Sequence, residues 1–419
     1  MTEEQDNQVQ QEINKAINFL GQNKFLEAEN TCLKIIDTGD NADAYHILSS
    51  IKIYQQEFED SIKYVKKSIA INDGNPGYHV TLGCAYSAKE DYESSIIAFK
   101  SAIKINNKIA QVHFYLGESY RKLKKYNDAI SSFYNTTELS PDHVGAYLLL
   151  GVVYQEKKQF DLSIKAFQKC IEIMPDYAEA HLNLGLCYLL IGDYENGWRE
   201  YEWRRKIIKE SSDKLSREWS GQNLENKTLL VLDEGADGNL IHFIRLIREL
   251  KKESCKVAVQ CSEEAIPLIK NQKWIDKAIT ADDFPEHDFY IPIGSLMNVL
   301  KYNPNHHDQI FPYIEVDADK ISKKDTDQVN IGLVFETDRN SNAHDDESID
   351  PGLFENIFNQ EHNVICLDKY VTNETLPNYC SKHITYSNLQ DLSIVISNLD
   401  LIITVDHLVA HLAGALNID

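Results

Sequence analysis

A glycine-containing stretch in the second half of the chain offers acidic side chains between a predicted strand and a predicted helix. In residues 234–245, with the sequence EGADGNLIHFIR, Asp237 precedes Gly238 and is followed by Asn239. A carboxylate can accept a proton from an attacking hydroxyl, whereas an amide cannot at neutral pH. Asp237 and Glu234 are therefore the side chains of this turn that could accept a proton, and Asn239 is not.

A second stretch combines an acid with a histidine. In residues 399–416, Asp406 ends a predicted strand, and His411 lies five residues further on, about one and a half turns along the following helix. The N-terminus of such a helix favours an anion such as phosphate. An alternative is that Asp406 only caps the helix and that His411 packs against the sheet.

The elements that position these residues alternate between strands and helices from residue 227 onwards. Such alternation predicts a parallel, doubly wound sheet. Two successive sets, 227–325 and 326–419, predict two Rossmann-like domains with a ligand cleft between them. The expected strands are 228–232, 256–259, 278–280, 289–292, 330–335, 364–367 and 401–405. The expected helices are 238–251, 351–358, 389–397 and 407–415.

The first half of the chain carries a pattern with a fixed period. The sequence Leu-Gly-x-x-Tyr occurs four times at intervals of 34 residues, beginning at Leu82, Leu116, Leu150 and Leu184. An aromatic residue recurs at one phase of each unit, at Phe99, Phe133, Phe167 and Tyr201. This period and signature are typical of a helix–turn–helix solenoid and resemble the tetratricopeptide repeat. About six units are expected across residues 9–210, with Ser49 replacing the glycine in an early unit, and 211–226 are expected to form a linker.

Such an array curves so that its first helices line a groove. We expect five residues of these helices to contact a bound protein or peptide: Val80, Phe114, Glu118, Leu148 and Leu182. The alternative, that much of this surface packs against the next domain, stays open.

The junction and the C-terminal half resemble a further family. Four stretches carry this resemblance: 201–204 (Tyr-Glu-Trp-Arg), 219–221 (Trp-Ser-Gly), 234–245 and 399–416. Their order is similar to that in bacterial-type tetratricopeptide proteins whose C-terminal half resembles glycosyltransferases of the heptosyltransferase and O-GlcNAc-transferase kind. The resemblance implies the two-domain GT-B architecture. Relatives continue beyond the position of Asp419, so the second domain is expected to be incomplete, or its sheet edge to be covered by a partner.

The resemblance also implies roles for individual residues. Asn239 occupies the family's base position, where an aspartate is usual, so Asp237 or Glu234 would have to substitute. Gly238, Asp406 and His411 would bind a nucleotide-sugar donor, which is a substrate, and no cofactor is implied. In relatives the loop after the strand at 330–335 meets the donor's phosphates, but here the loop carries five acids and would repel a diphosphate.

Two functions follow as hypotheses. The first is transfer of a sugar from a nucleotide-sugar to a hydroxyl acceptor presented by the repeats. The alternative is a non-catalytic scaffold that binds proteins in the solenoid groove. Whether the protein is an enzyme is left open.

The composition of the chain indicates which kinds of partner and which cellular compartment to expect. The net charge of −23 argues against nucleic-acid binding, because phosphate contacts need a basic face. No apolar run is long enough to span a membrane, and the eight cysteines show no CxxC pairing, which favours a reducing cytoplasm. His344, Asp345 and Asp346 could bind a metal, but adjacent residues in a polar loop are usually solvated, so no metal site is predicted.

Overall fold

The chain divides into two units, Met1–Asp193 and Tyr194–Asp419. The computed structural model describes residues 3–207, 215, 217–235, 237–251, 254–281, 283, 285–305, 311–316, 328–335, 348–355, 357–358, 362–368, 371, 375–405 and 407–418. The sequence assigned residues up to 210 to the repeats, but the structure groups residues from Tyr194 with the C-terminal unit. One reason is Trp198, whose indole N–H donates to the carbonyl oxygen of Tyr302 at 2.9 Å.

The N-terminal unit consists of helix pairs joined by short turns. The first helices of the pairs are α1 (Glu3–Gly21), α3 (Ala42–Tyr54), α5 (Pro76–Ala88), α7 (Ala110–Lys122), α9 (Val144–Glu156) and α11 (Ala178–Leu190). The second helices are α2 (Phe25–Thr38), α4 (Phe58–Ile71), α6 (Tyr92–Ile105), α8 (Tyr126–Leu139) and α10 (Phe160–Ile173). The predicted helical solenoid is thereby confirmed.

The turns inside the pairs repeat with the same period as the helices. Gln56, Glu90, Lys124 and Lys158 lie 34 residues apart, and all four have a positive φ near 60°. Gly192 continues the series with a φ of 84°. Each of these residues reverses the chain between two helices in the left-handed conformation, which costs non-glycine residues free energy.

The glycine of the repeat pattern allows the two helices of a pair to approach closely. A Cβ atom added at Gly117 would lie 2.6 Å from Cε1 of Phe133, and the same ring contact recurs between Gly83 and Phe99 and between Gly151 and Phe167. These three phenylalanines are buried. The aromatic side chain therefore fills the space that the missing side chain leaves.

One early pair replaces both partners of this contact. Ser49 stands in the glycine position and Val65 in the aromatic position, and both are fully buried. The Ser49 and Ser61 hydroxyls form a hydrogen bond of 2.8 Å. The smaller valine leaves room for the serine side chain, which explains why this pair tolerates the departure from the pattern.

The curvature of the array follows from which helices are neighbours. Consecutive first helices contact one another, from α3 to α5, α5 to α7, α7 to α9 and α9 to α11. No pair of consecutive second helices makes contacts of this extent in the part of the chain that the structure describes. The first helices are therefore on the inner side of the curve, and we call their solvent-facing surface the first-helix face.

In its described residues, the C-terminal unit begins with two short helices, α12 (Tyr194–Tyr201) and α13 (Arg204–Ile207), and has two sheets. In the first sheet, all strand pairs are parallel and the strand order is β1-β5-β2-β3-β4. Its strands are β1 (Arg217–Glu218), β2 (Thr228–Leu232), β3 (Lys256–Gln260), β4 (Lys277–Ile279) and β5 (Phe289–Pro292). The second sheet, also parallel, has the order β8-β7-β6-β9. Its strands are β6 (Val329–Val334), β7 (His362–Cys366), β8 (Lys382–His383) and β9 (Leu401–Thr404).

The helices of this unit pack on the two sheets. They are α14 (Asp237–Phe243), α15 (Ile247–Leu250), α16 (Ile266–Lys270), α17 (Leu296–Val299), α18 (Leu389–Ile396) and α19 (Leu408–Leu416). The single helix expected over 238–251 is interrupted by a 3₁₀ turn at Ile244–Leu246. Buried side chains on both α14 and α15 join one apolar core, so packing rather than helical periodicity governs this segment. Among the described residues, no helix combines the length and the apolar character needed to cross a membrane.

Candidate functional site: the first-helix face and the α14–α19 contact

Three of the five expected groove residues pack within the repeats. Leu148 is 6% exposed and belongs to an apolar core. Phe114 packs against the His143 ring, with ring centroids 4.7 Å apart, and Val80 packs against the same apolar cluster as Phe114. Leu148 is therefore not available to a ligand, and Phe114 and Val80 offer only part of their surface. The expectation fails for Leu148 because its side chain packs in a core with residues of α10 and α11, such as Phe167 and Leu184.

The other two expected residues, Glu118 and Leu182, are half-buried, as are Val80 and Phe114. Leu186, one turn further along α11, is half-buried as well. No apolar cluster of the described residues includes Leu182 or Leu186. Two leucines on the first-helix face therefore offer apolar surface that the repeats themselves do not use.

In the C-terminal unit, the structure brings the two glycine-containing stretches together. Helix α14, which follows β2, contacts helix α19, which follows β9. A Cβ atom added at Gly238 would lie 2.9 Å from Cδ2 of His411. Two of the predicted donor-binding residues thus touch each other, although they are far apart in the sequence.

A second histidine and an arginine adjoin this contact. The ring centroids of His242 and His411 are 5.9 Å apart, and Nη2 of Arg245 lies 3.4 Å from Nε2 of His242. Burial lowers the pKa of His242 to about 4, and the charge of Arg245 acts in the same direction. At neutral pH His242 is therefore uncharged, and Arg245 supplies the positive charge of this cluster.

Aromatic rings rather than carboxylates surround Arg245. Its guanidinium carbon lies 5.3 Å from the ring centroid of Tyr302 and 5.9 Å from that of Tyr313. Nε of Arg245 is buried and has no hydrogen-bond partner among the described residues. The arrangement can bind an anionic group, because no ion pair joins Arg245 to an acid among the residues that the structure describes.

Glu234 is not available as a base. Its carboxylate accepts two hydrogen bonds from the Arg204 guanidinium, at 2.9 and 3.0 Å, and one from the backbone N–H of Gly294 at 2.8 Å. The Arg204 and Glu234 side chains are 6% and 9% exposed. The suggestion that Glu234 could replace the family's base is therefore wrong, because its carboxylate is held in a buried ion pair.

The other polar residues of this turn, two acids and one amide, differ in their surroundings. Asn239, at the family's base position, is exposed to solvent, whereas Asp237 is half-buried and accepts hydrogen bonds from the Ser262 hydroxyl at 2.9 and 3.0 Å. Asp233 has one buried carboxylate oxygen without a hydrogen-bond partner among the described residues. Burial raises the pKa of Asp233 to about 6, and Asp237 contributes through like charge. Sequence reasoning missed Asp233.

Several predicted features lie outside the described residues. They include Asp406, the acidic loop at 336–347 and, within it, the possible metal ligands His344, Asp345 and Asp346. His407 is described, and its Nδ1 accepts a hydrogen bond from the backbone N–H of Val409 at 3.2 Å, so it caps α19. The described residues contain no group of three or more His, Cys, Asp and Glu side chains that could hold a metal ion.

Comparison with known proteins concerns the N-terminal unit. Family models described as tetratricopeptide repeat match residues 76–109, 111–143, 144–177 and 166–198. Residues 76–198 are tetratricopeptide repeats. No matched model extends beyond residue 198, so the glycosyltransferase resemblance of the C-terminal unit is not shown by these matches. A search of curated proteins found no match.

Solved structures with similarity to the chain include repeat proteins. A fragment of MamA from Desulfovibrio magneticus RS-1 is 22% identical, covering 41% of this chain and 95% of that one, with a TM-score of 0.37. YrrB, whose structure is described as a TPR protein with an unusual peptide-binding site, is 19% identical over 42% of this chain and 91% of its own, with a TM-score of 0.38. PilF from Pseudomonas aeruginosa is 14% identical, covering 49% of this chain and 94% of that one, with a TM-score of 0.45.

Proposed function

We propose that the tetratricopeptide repeats bind a peptide segment of a partner protein on the first-helix face. The observation that carries this proposal is the apolar surface of Leu182 and Leu186, which the repeat cores leave unused. Helical repeat arrays bind partners on extended concave surfaces, and a few apolar anchors supply most of the binding free energy. The chain then acts as a scaffold, with partner binding rather than catalysis as its main activity.

A selection from a random-peptide library displayed on phage tests this function with the full chain. Peptides selected by the wild type are synthesised, and their affinities are measured by fluorescence anisotropy. Leu182→Glu places a charge at the proposed anchor and is expected to weaken binding at least about tenfold. Leu162→Glu is the matched control, because Leu162 is 40% exposed and lies on α10, a second helix.

The affinities of the two variants for the selected peptides show whether the proposed function is right. Loss of affinity in Leu182→Glu with retention in Leu162→Glu is the expected result. If the library yields no binding peptide, or if both variants bind the selected peptides as the wild type does, the proposed function is wrong.

A second candidate function rests on a separate observation, the contact of Gly238 with His411 beside the Arg245 cation. In this proposal the C-terminal unit binds the phosphates of a nucleotide-sugar and transfers the sugar to a hydroxyl. Arg245 and His411 would hold the anion, while Asp233 or Asp237 would accept the proton of the hydroxyl. Both acids follow β2, at the edge where ligands bind to parallel sheets.

Calorimetric titration with UDP-, GDP-, ADP- and CMP-sugars tests this second candidate. Binding that disappears in His411→Ala supports donor binding. No heat of binding with any of the four, from a chain with a folded circular dichroism spectrum, excludes it and leaves the scaffold function unaffected.

A further inference from the structure

One row of residues on the first-helix face is apolar except at a single position. The residues that directly follow the glycine of the repeat pattern are Cys84, Glu118, Val152 and Leu186, and all four are half-buried. They occupy equivalent positions on α5, α7, α9 and α11. A carboxylate therefore interrupts a row of otherwise uncharged side chains.

Glu118 has no ionic partner within the repeats. Arg121, one turn along the same helix, instead forms an ion pair with Glu156 of α9 at 3.7 Å. No Lys or Arg nitrogen among the described residues lies within ion-pair distance of Glu118. Burial raises the pKa of Glu118, and the charges of Arg121 and Lys122 offset this only in part. The carboxylate is thus partly desolvated, and the nearby positive charges compensate for this only in part.

A tyrosine lies one turn before this carboxylate on α7. Burial raises the pKa of the Tyr115 hydroxyl, and the negative charge of Glu118 acts in the same direction. An aromatic ring and a carboxylate together attract a lysine or arginine side chain, through a cation–π contact and a charge-assisted hydrogen bond.

We propose that Glu118, with Tyr115 one turn before it on α7, binds one lysine or arginine of an otherwise apolar peptide segment. This inference rests on the proposed function, since it specifies the chemistry of the partner at the same surface. Val152 and Leu186 continue the row on the C-terminal side, so apolar residues of the peptide lie to one side of the cation. An acidic peptide would meet the negative charge of Glu118 and would bind less tightly.

The same phage library provides the test when it is selected against four forms of the full chain. Wild type is compared with Glu118→Gln, which keeps the shape and removes the charge, and with Glu118→Lys, which reverses the charge. Glu93→Gln is the matched control, because Glu93 is an exposed acid on α6, a second helix. Circular dichroism of each form establishes that the repeats are folded.

The expected result is a Lys or Arg at one fixed position of the wild-type peptides, flanked by apolar residues. Glu93→Gln selects the same motif, Glu118→Gln loses the basic preference, and Glu118→Lys selects an acid there. Replacing the basic residue of a selected peptide by norleucine is expected to weaken binding to the wild type about tenfold or more. The same replacement should change binding to the Glu118→Gln variant little.

Two other results are distinguishable. Peptides that bind the face without a basic preference, or that keep the preference in Glu118→Gln, overturn the cation site while leaving the proposed function intact. A library that yields no peptide sensitive to Leu182→Glu overturns the proposed function, and the cation site with it.

Discussion

Gly117 and Phe133 are in such close contact that no larger residue fits at the glycine. A methyl group on the Cα of Gly117 would lie 2.6 Å from Cε1 of the buried Phe133 ring. The two residues belong to the paired helices α7 and α8. The contact explains why glycine and an aromatic residue recur together in the repeat.

Gly117→Ala is expected to destabilise the N-terminal unit by about 1–3 kcal/mol, because overpacking forces the ring or the helices to move. Urea unfolding followed by far-ultraviolet circular dichroism measures the change. All four tryptophans lie in the C-terminal unit, so their fluorescence monitors that unit separately and should not change.

Two controls accompany this substitution. Gly21→Ala, at a position with no atom within 4 Å, should change the free energy of unfolding by less than about 0.5 kcal/mol. In a Phe133→Val background, which copies the small residue at Val65, Gly117→Ala should cost less than in the wild type. An equal cost in both backgrounds would show that the ring contact is not the cause.

The Arg204–Glu234 ion pair is expected to stabilise the C-terminal unit only while both partners are present. Arg204→Met leaves a buried carboxylate without its cation and should cost about 3–5 kcal/mol. The double variant Arg204→Met, Glu234→Gln should lose less stability than Arg204→Met alone. Urea unfolding followed by tryptophan fluorescence measures both.

The exposed pair Lys227–Asp288 provides the comparison, with side chains 47% and 39% exposed. Lys227→Met should cost less than about 1 kcal/mol. If Arg204→Met costs no more than Lys227→Met, the buried pair does not hold the turn before α14 in place.

His242 should make stability depend on pH. Its pKa in the folded chain is about 4, below the ordinary value of 6.5, so the unfolded chain binds more protons between these pH values. Stability should therefore rise from pH 4 to 6.5, by at most about 3 kcal/mol, and stay constant above. Urea midpoints across this range should show that His242→Gln reduces the slope, and an unchanged slope would contradict the assignment.

Asp233 should make stability depend on pH in the opposite direction to His242. Its pKa of about 6 in the folded chain exceeds the ordinary value of 3.8, so the folded chain binds the extra proton between these pH values. Its contribution is favourable at low pH and is lost as the pH rises through 6. Asp233→Asn should therefore raise the urea midpoint at pH 7 relative to the wild type, whereas Glu225→Gln, at an exposed acid, should not. A lower midpoint for Asp233→Asn would contradict the raised pKa.

Much of the fold could be predicted because its signals are local. The 34-residue spacing and the paired glycine and phenylalanine predict the solenoid, and apolar runs such as Leu229–Val231 predict the parallel strands. The left-handed turns could not be predicted, since four of the five residues at 34-residue spacing are not glycine. The chain tolerates this local cost because packing of the flanking helices fixes the turn.

The candidate sites were less predictable, because they depend on contacts between distant residues. The Gly238–His411 contact joins helices of two different sheets, and the Arg204–Glu234 pair joins two elements 30 residues apart. The desolvation of Asp233 and Glu118 depends on the surrounding fold. The position of Glu118 in the repeat predicted its place on the groove but not its burial, and the residue types gave no signal for Asp233.

Hydrogen exchange of the full chain with and without a selected peptide tests the central claim most directly. The account predicts protection on binding in the first helices α7, α9 and α11, with the second helices α6, α8 and α10 and residues 194–419 unchanged. Protection confined to the second helices or to the C-terminal unit would contradict binding on the first-helix face.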